Sequence, residues 1–507
     1  MTRLCFCLAL LAASGAQGAG VTFHKLTLGS EGEHGVFSVD LEGSGRRDII
    51  GLSSGRIAIY RADPKEPSGF ASTPEVLVTG PIAYYADAAD VLPAKGKEIL
   101  ILTPTGVAAY AQENGHYNAT PRPLIQCDTI LSMATLRGGL AAQQSPNVAV
   151  LPWNFAFDAN GDGLDDVLVP HDRGTDLYLQ KAPGQFARPL TLGLFPVVYH
   201  LAAPGHKASE FRETTARSVR LEVIVPGLER RDVNGDGKPD LVCGAYWFAQ
   251  KADGTFDTVA ATLPPDLQTA AEQPLRRMDL NGDGRKDGIE EENVVDDPLN
   301  IVTRVRIFLA DPNGQLPAAP TQVVVGQNIL LNARLPVYDF NGDGALDFAM
   351  FKTDITVTEI AKWVRQSFGK IDGDLNFYLF DRKDGSYPRR PSFSKPIRMR
   401  FKVDLMEAMM GLVWERYLST MMRFEGDFNG DGRLDLLVRD ETNRIAIYLN
   451  SADPVRIYLG DPDIVLDNLP SFGGLALDDL NGDGATDVIL YLGNFDHVLA
   501  AYISRRP

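Results

Sequence analysis

Asp479-Leu480-Asn481-Gly482-Asp483-Gly484-Ala485-Thr486-Asp487 is an acidic nonapeptide followed at once by the apolar run Val488-Ile489-Leu490. The same frame stands at Asp158-Ala159-Asn160-Gly161-Asp162-Gly163-Leu164-Asp165-Asp166 and at Asp232-Val233-Asn234-Gly235-Asp236-Gly237-Lys238-Pro239-Asp240. It returns at Asp279-Leu280-Asn281-Gly282-Asp283-Gly284-Arg285-Lys286-Asp287 and at Asp339-Phe340-Asn341-Gly342-Asp343-Gly344-Ala345-Leu346-Asp347. The sixth copy is Asp427-Phe428-Asn429-Gly430-Asp431-Gly432-Arg433-Leu434-Asp435. Six copies of one frame exclude accident and identify a repeat protein.

Two weaker copies come first. Asp40-Leu41-Glu42-Gly43-Ser44-Gly45-Arg46-Arg47-Asp48 keeps the frame with a changed donor set. Asp90 to Glu98 keeps only its acidic ends, with Leu92 and Ala94 at positions three and five. The eight starts give a unit of roughly 60 residues, within the range of repeat architectures.

After each loop the pattern is that of strands. A short apolar run such as Asp166-Val167-Leu168-Val169 or Asp435-Leu436-Leu437-Val438 precedes an alternating run such as Arg444-Ile445-Ala446-Ile447-Tyr448-Leu449. Period two, β-branched and aromatic residues, and Gly or Asn at the boundaries read as β-strands. Glycine-marked turns at Gly184-Gln185-Phe186 and Gly254-Thr255-Phe256 open further strands. Eight units of three to four short strands predict an all-β fold, a β-propeller of eight blades with seven as the fallback. The period-two segment Val21–Leu28 precedes the first loop, and the chain runs out after Ile503. Since an open ring leaves bare strand edges, Val21–Leu28 is predicted to form the outer strand of the last blade.

In each loop, hard oxygens at alternate positions, a backbone carbonyl and a final aspartate suit Ca²⁺, which takes about six to eight oxygens in flexible geometry. Mg²⁺ is less suited, because it prefers a small octahedral shell rich in water. An EF-hand is rejected: position twelve is Val169, Cys243, Glu290, Met350, Val438 and Leu490, and strands follow where a helix is required. A solvated Asn-Gly turn, on this reading, gives no reason for the aspartate at position nine. The eighteen aspartates of the six loops carry a charge close to the whole chain's −17, so the remainder is near neutral.

These loops and strands resemble the FG-GAP/VCBS repeat family, whose integrin-like members build propellers with Ca²⁺ loops, over roughly residues 21–507. The resemblance implies side-chain donors at positions one, three, five and nine and a carbonyl donor at seven. Those positions are Asp158, Asn160, Asp162, Leu164 and Asp166; Asp232, Asn234, Asp236, Lys238 and Asp240; Asp279, Asn281, Asp283, Arg285 and Asp287. The other three sets are Asp339, Asn341, Asp343, Ala345 and Asp347; Asp427, Asn429, Asp431, Arg433 and Asp435; Asp479, Asn481, Asp483, Ala485 and Asp487. About six structural Ca²⁺ are expected, with weak binding at Asp40–Asp48 left open and none at Asp90–Glu98.

Residues 1–20 read as a signal peptide: Arg3 starts a short positive segment, Leu4–Ala13 is apolar, and small residues follow. No run reaches membrane length. Export, secreted or periplasmic, is therefore expected, with Cys127 and Cys243 as free thiols in the mature chain. The acidic balance argues against nucleic acid, and an extracellular protein or polysaccharide ligand is expected for a binding or adhesion module. Neither HExxH nor GxSxG occurs; a polysaccharide lyase or hydrolase on the same scaffold is the alternative, by fold analogy alone.

Residues 354–424 break the rhythm and predict a helical insertion. Thr356 and Glu359 form a capping box for a helix using Val357, Ile360, Ala361, Val364 and Phe368, with Gly369 as its stop. A second, Met-rich helix is expected at Asp404–Met422. Between them Arg389, Arg390, Lys395, Arg398, Arg400 and Lys402 include no acid; the solvent face of an edge strand is preferred over an anion-docking surface. Glu290, Glu291, Glu292, Asp296 and Asp297 read as a solvated loop before an extension of the third metal site.

Overall fold

The computed structural model describes residues 20–28, 35–53, 55–79, 85–132, 151–202, 219–224, 227–264, 275–297, 300–328, 335–353, 357–402, 421–470, 474–492 and 497–506. The expected signal peptide and nearly all of the expected second helix lie outside them. Within them the chain is all-β, and most of its strands group into eight four-stranded antiparallel units. The second carries a fifth, parallel strand at Leu151–Pro152, the sixth and seventh are bridged into one eight-stranded sheet, and Val197–Ala202 pairs with Val219–Ile224 as a separate hairpin.

Unit one is Gly35–Val39, Asp48–Ser53, Arg56–Tyr60 and Glu75–Val78; unit two is Tyr85–Ala89, Glu98–Thr103, Gly106–Tyr110 and Arg122–Gln126. Units three and four are Ala156–Phe157, Asp166–His171, Gly174–Tyr178, Leu190–Leu192, then Glu229–Arg231, Asp240–Cys243, Tyr246–Phe248, Ala261–Thr262. Unit five is Leu275–Met278, Asp287–Asp297, Asn300–Phe308, Gln322–Gly326; unit six is Val337–Tyr338, Asp347–Thr353, Phe368–Tyr378, Phe393–Lys402. Unit seven is Met422–Gly426, Asp435–Glu441, Arg444–Tyr448, Ile464–Leu466. Unit eight takes Gly474–Asp478, Asp487–Leu492 and His497–Arg505 from the C-terminal end and Thr22–Leu26 from the start. That strand pairs antiparallel from Thr22 opposite Arg505 to Leu26 opposite Ala501, as the closure argument predicts.

The nonapeptide loop joins the first strand of a unit to the second. The second strand is buried along its length, as in Asp48–Ser53 and Asp166–His171, which is why it reads as a continuous apolar run rather than an alternation. Its side chains enter cores shared with neighbouring units at every junction but that between units four and five. Ile50 and Leu52 share a core with Ile99 and Tyr110 of unit two. Leu100 of unit two, Val167 of unit three and Leu241 of unit four share another. Ile289 meets Phe348, Phe351 meets Leu436, Leu437 meets Val488, and Ile489 meets Ile49 of unit one across the chain ends.

Residues 354–424 depart from expectation. The helix is Val357–Gln366; it ends where Ser367 enters the left-handed region at φ 53°, a helix-terminating conformation. Phe368 and Gly369 belong to the following strand. Gly369 is no helix stop: a Cβ there would fall 2.5 Å from the Phe401 ring. Among the helix residues whose burial is described, Trp363 is buried and Ala361 is exposed, and the Trp363 ring lies 5.7 Å from that of Phe401. The strands Phe368–Tyr378 and Phe393–Lys402 complete unit six, so the repeat is not broken; the helix sits inside it, between its second and third strands. Met421 is helical and Met422 begins the next strand, so the end of the expected second helix falls one residue earlier than expected.

Glu290, Glu291 and Glu292 also lie in a strand, not a loop. Glu290 and Glu292 face Arg306 and Arg304 as cross-strand partners. Lys395 is buried: its ammonium donates to the Gly460 carbonyl at 2.6 Å and lies 4.1 Å from the Tyr448 ring, tying unit six to unit seven. Arg398, Arg400 and Lys402 point outward from the outer strand, as expected.

Candidate metal centres

Each loop folds around its first aspartate. In unit three Asp158 Oδ1 accepts the N–H of Gly161 and Asp162, and Oδ2 accepts that of Gly163. Gly161 and Gly163 hold φ of 80° and 88°, which side-chain-bearing residues rarely adopt; this turns three consecutive N–H groups toward one carboxylate. Asn160 Oδ1 and Asp158 Oδ1 share the Asp162 N–H, and Asp162 Oδ1 accepts from Leu164 N. Positions one, three and five are thereby drawn to one side of the loop.

The other five loops repeat this geometry. Position-five N–H groups are shared in the same way at Asp236, Asp283, Asp343, Asp431 and Asp483. In every copy the asparagine Nδ2 donates to the position-five carboxylate, as Asn341 does to Asp343 and Asn481 to Asp483. The first loop keeps part of the frame: Ser44 N and Gly45 N donate to Asp40, and Ser44 Oγ accepts from Arg46 N.

Position nine behaves differently. Asp166, Asp240, Asp287, Asp347, Asp435 and Asp487 are all fully buried. Asp166 Oδ2 accepts Ala159 N, at position two of its own loop, and Oδ1 accepts Gln180 N, beyond the third strand. Asp487 does the same with Leu480 N and Ser504 N, and adds the Ser504 hydroxyl. Asp435 holds Phe428 N and Asn450 N; Asp347 holds Phe340 N and Phe380 N. Burial pushes the carboxyls of Asp166, Asp347, Asp435 and Asp487 up to about 7, since a low-dielectric site disfavours the charged form.

This corrects one step of the sequence argument. The aspartate at position nine has a use without any metal: it ties the loop to the end of the third strand. No sequence signal marked that use, although the residue is present in every frame. Asp48 accepts Ala62 N in unit one. In unit two, where positions three and five are lost, Glu98 still accepts Val91 N and Leu92 N.

The residue after the third strand also reaches backward. Gln180 Nε2 donates to Val91 O of the preceding loop, Gln250 Nε2 to Asn160 O, and Asn450 Nδ2 to Phe340 O. Neighbouring loops are therefore in hydrogen-bonded series, joined further by Leu346 N to Leu280 O and Thr486 N to Asp427 O.

Guanidinium groups stand beside several loops. Arg285 and Arg433 turn back on Asp283 and Asp431, Arg382 lies 3.8 Å from Asp343, and Arg230 lies 3.4 Å from Asp158. In unit one Arg61 lies 3.8 Å from Glu42 and 3.6 Å from Asp48. Every donor at positions one, three, five and seven is oxygen, the chemistry that calcium requires. The three carboxylates of a loop are not gathered at one point: one and five are at the mouth and nine lies beneath. Among the described residues no cluster of three or more His, Cys, Asp or Glu is close enough to hold a metal ion.

Cys127 and Cys243 are half-buried and not joined by a disulfide among the described residues. No helix among the described residues is long and apolar enough to cross a membrane.

Residues 232–289 and 427–490 match the model of the FG-GAP-like repeat. No curated protein matches the chain. Among solved structures, a lectin of Agrocybe aegerita, described as recognising non-reducing terminal N-acetylglucosamine, is 14% identical, covers 74% of this chain and 86% of its own, and has a TM-score of 0.34. The V. cholerae biofilm matrix protein Bap1 is 10% identical with coverage of 94% and 91% and a TM-score of 0.27. Scores this low carry no argument about ligand or blade number. The two matched stretches contain the loops of units four, five, seven and eight, and the chain carries FG-GAP-like repeats there.

Proposed function

We propose that the chain is an eight-bladed β-propeller exported from the cytoplasm, with Ca²⁺ as a structural ion in six loops, and that it serves as a binding or adhesion module for an extracellular protein or polysaccharide. The blade count is supported by the eight four-stranded units, by side-chain cores shared between neighbours, and by the N-terminal strand completing the C-terminal unit. Export rests on the apolar N-terminal segment with its preceding Arg3.

One observation carries the calcium reading: six loops hold the same set of hard oxygens at positions one, three and five on one side, through the same hydrogen bonds. Those side chains, with the position-seven carbonyl, would hold the ion at the mouth, and position nine would support it from beneath. The bound cation would offset repulsion between carboxylates, on the order of 4 kcal/mol per pair at 4 Å and an effective dielectric of 20. Arg61 already supplies positive charge to the first loop, which favours six ions over seven.

Metal counting and melting test this. Each site that binds only the folded state adds about 2.7 kcal/mol when free Ca²⁺ is 100 times its dissociation constant. The melting temperature should fall steeply in chelator and recover better with Ca²⁺ than with Mg²⁺. An unchanged melt in protein shown to be metal-free, or three or fewer ions at saturation, contradicts the reading.

A further inference from the structure

Units five and six each carry a long hairpin, between the second and third strands in unit five and the third and fourth in unit six, and the one in unit six includes a like-charge pair that the one in unit five lacks. In unit five the exposed cross-strand partners are of opposite sign: Glu290 faces Arg306 and Glu292 faces Arg304, with Arg306 and Glu292 2.9 Å apart. In unit six Asp372 faces Arg398, but Lys370 faces Arg400, two like charges in register, and Phe368 faces Lys402. Like charges directly opposite one another destabilise a sheet, so folding alone gives no reason for this pair.

The row is firmly held. Ile397, Met399 and Phe401 are buried between Arg398, Arg400 and Lys402, so the three cations point the same way at about 7 Å intervals along the strand. The Trp363–Phe401 contact seats the helix Val357–Gln366 against the buried face of the strand, behind the cation row. Lys370 pairs with Asp372. Among the described residues, Arg398, Arg400 and Lys402 make no ion pair. The acids on the same face are Asp372, opposite Arg398, and Asp374, opposite Pro396; Glu441 of the next unit is in register with Arg400 across a single parallel bridge.

That bridge bears on the edge-guard explanation. Charged side chains protect a bare strand edge, but here Lys402 N donates to Thr442 Oγ1 at 2.9 Å and Arg400 is already partnered by the next unit. The edge is covered where the cations are densest. The group also lies at the end of unit six away from its acidic loop: the second strand leaves that loop at Asp347 and ends at Thr353, and the helix follows. In a chain of net charge −17, an anionic ligand is repelled from the loop end and attracted to this one.

We infer that Lys370, Arg398, Arg400 and Lys402 dock an acidic polysaccharide. This names a ligand class for the binding module proposed above and rests on that reading. A linear row of evenly spaced cations suits a polymer with charge repeated along its length. Single-stranded nucleic acid would ask for a series of stacking aromatics, and Phe368 is the single exposed ring in the row.

The test uses the full chain loaded with Ca²⁺ and desalted, with heparin and alginate as probes and dextran as the neutral control. Wild type should bind at least one acidic probe at low salt, weaken with rising salt, and ignore dextran. Arg398→Gln/Arg400→Gln/Lys402→Gln should bind at least tenfold more weakly with its melting temperature unchanged. Arg398→Lys/Arg400→Lys, which keeps the charge, should stay within threefold of wild type. Unchanged heparin and alginate binding in the triple glutamine variant overturns the site, as does aggregation of that variant at unchanged affinity, or tighter wild-type binding to duplex DNA or anionic vesicles. Those results leave the binding-module reading standing, whereas a melt insensitive to chelation strikes the calcium reading and not this surface.

Discussion

The loop of unit two and the loop of unit eight occupy the same place in their units and share only their acidic ends. Asp479, Asn481 and Asp483 crowd the mouth of the eighth loop and accept its N–H groups. Leu92 fills position three in the second loop and is buried in the core instead. Yet Glu98 stays fully buried and accepts two backbone N–H groups, as Asp487 does. The comparison separates two tasks that the repeat pattern fuses. Positions three and five can be given up together, as Leu92 and Ala94 show. Position nine cannot, because buried backbone donors depend on it.

The largest test of this division is Asp487→Ala. It strands Leu480 N, Ser504 N and the Ser504 hydroxyl in a buried place, at about 1–3 kcal/mol for each unsatisfied group. A loss of about 3 kcal/mol or more is expected in denaturant melts, and it should persist in chelator. A loss that vanishes once metal is removed makes position nine a ligand and nothing else.

Asp483→Ala should behave in the opposite way. With Ca²⁺ present it should remove one ion and about 2.7 kcal/mol at 100 times the dissociation constant; in chelator the variant and wild type should melt close together. Equal losses in both conditions would merge the two tasks again.

Unit two also holds a buried acid of its own. Asp87 accepts Ala88 N, Phe155 N and Ala156 N, and burial pushes its carboxyl up to about 7. A folded-state value above the ordinary one of 3.8 means the folded chain holds the extra proton between the two. Its contribution is therefore fully present below about 4 and is lost as pH rises through about 7. In metal-free protein, Asp87→Asn should flatten the fall in stability between pH 4 and 7. An unchanged pH slope removes Asp87 from the account.

The smallest effect is expected from Ala94→Asp. Restoring position five in unit two adds no ion and shifts stability by less than about 0.5 kcal/mol, as exposed substitutions usually do, because Leu92 still denies position three. A seventh ion by metal counting would show that position three is dispensable.

Much of this was legible in the residues because it is local. A six-fold nonapeptide needs no structure to be seen, and its glycines announce the turn. The doubly buried second strand and the alternating third strand follow from side-chain period alone. Even the pairing of Thr22–Leu26 with His497–Arg505 follows from counting strands against ends.

Other features were decided by partners distant in sequence. The staple from position nine reaches Gln250 after 10 residues in unit four and Phe380 after 33 in unit six, so no fixed spacing could reveal it. Lys395 reads as one more surface cation until Gly460 and Tyr448 of the next unit enclose it. Gly369 reads as a helix stop until the Phe401 ring is found against it. Periodicity and turn chemistry act within a few residues and are written in the chain; burial and the satisfaction of buried polar groups depend on which units become neighbours, and only the tertiary structure decides that.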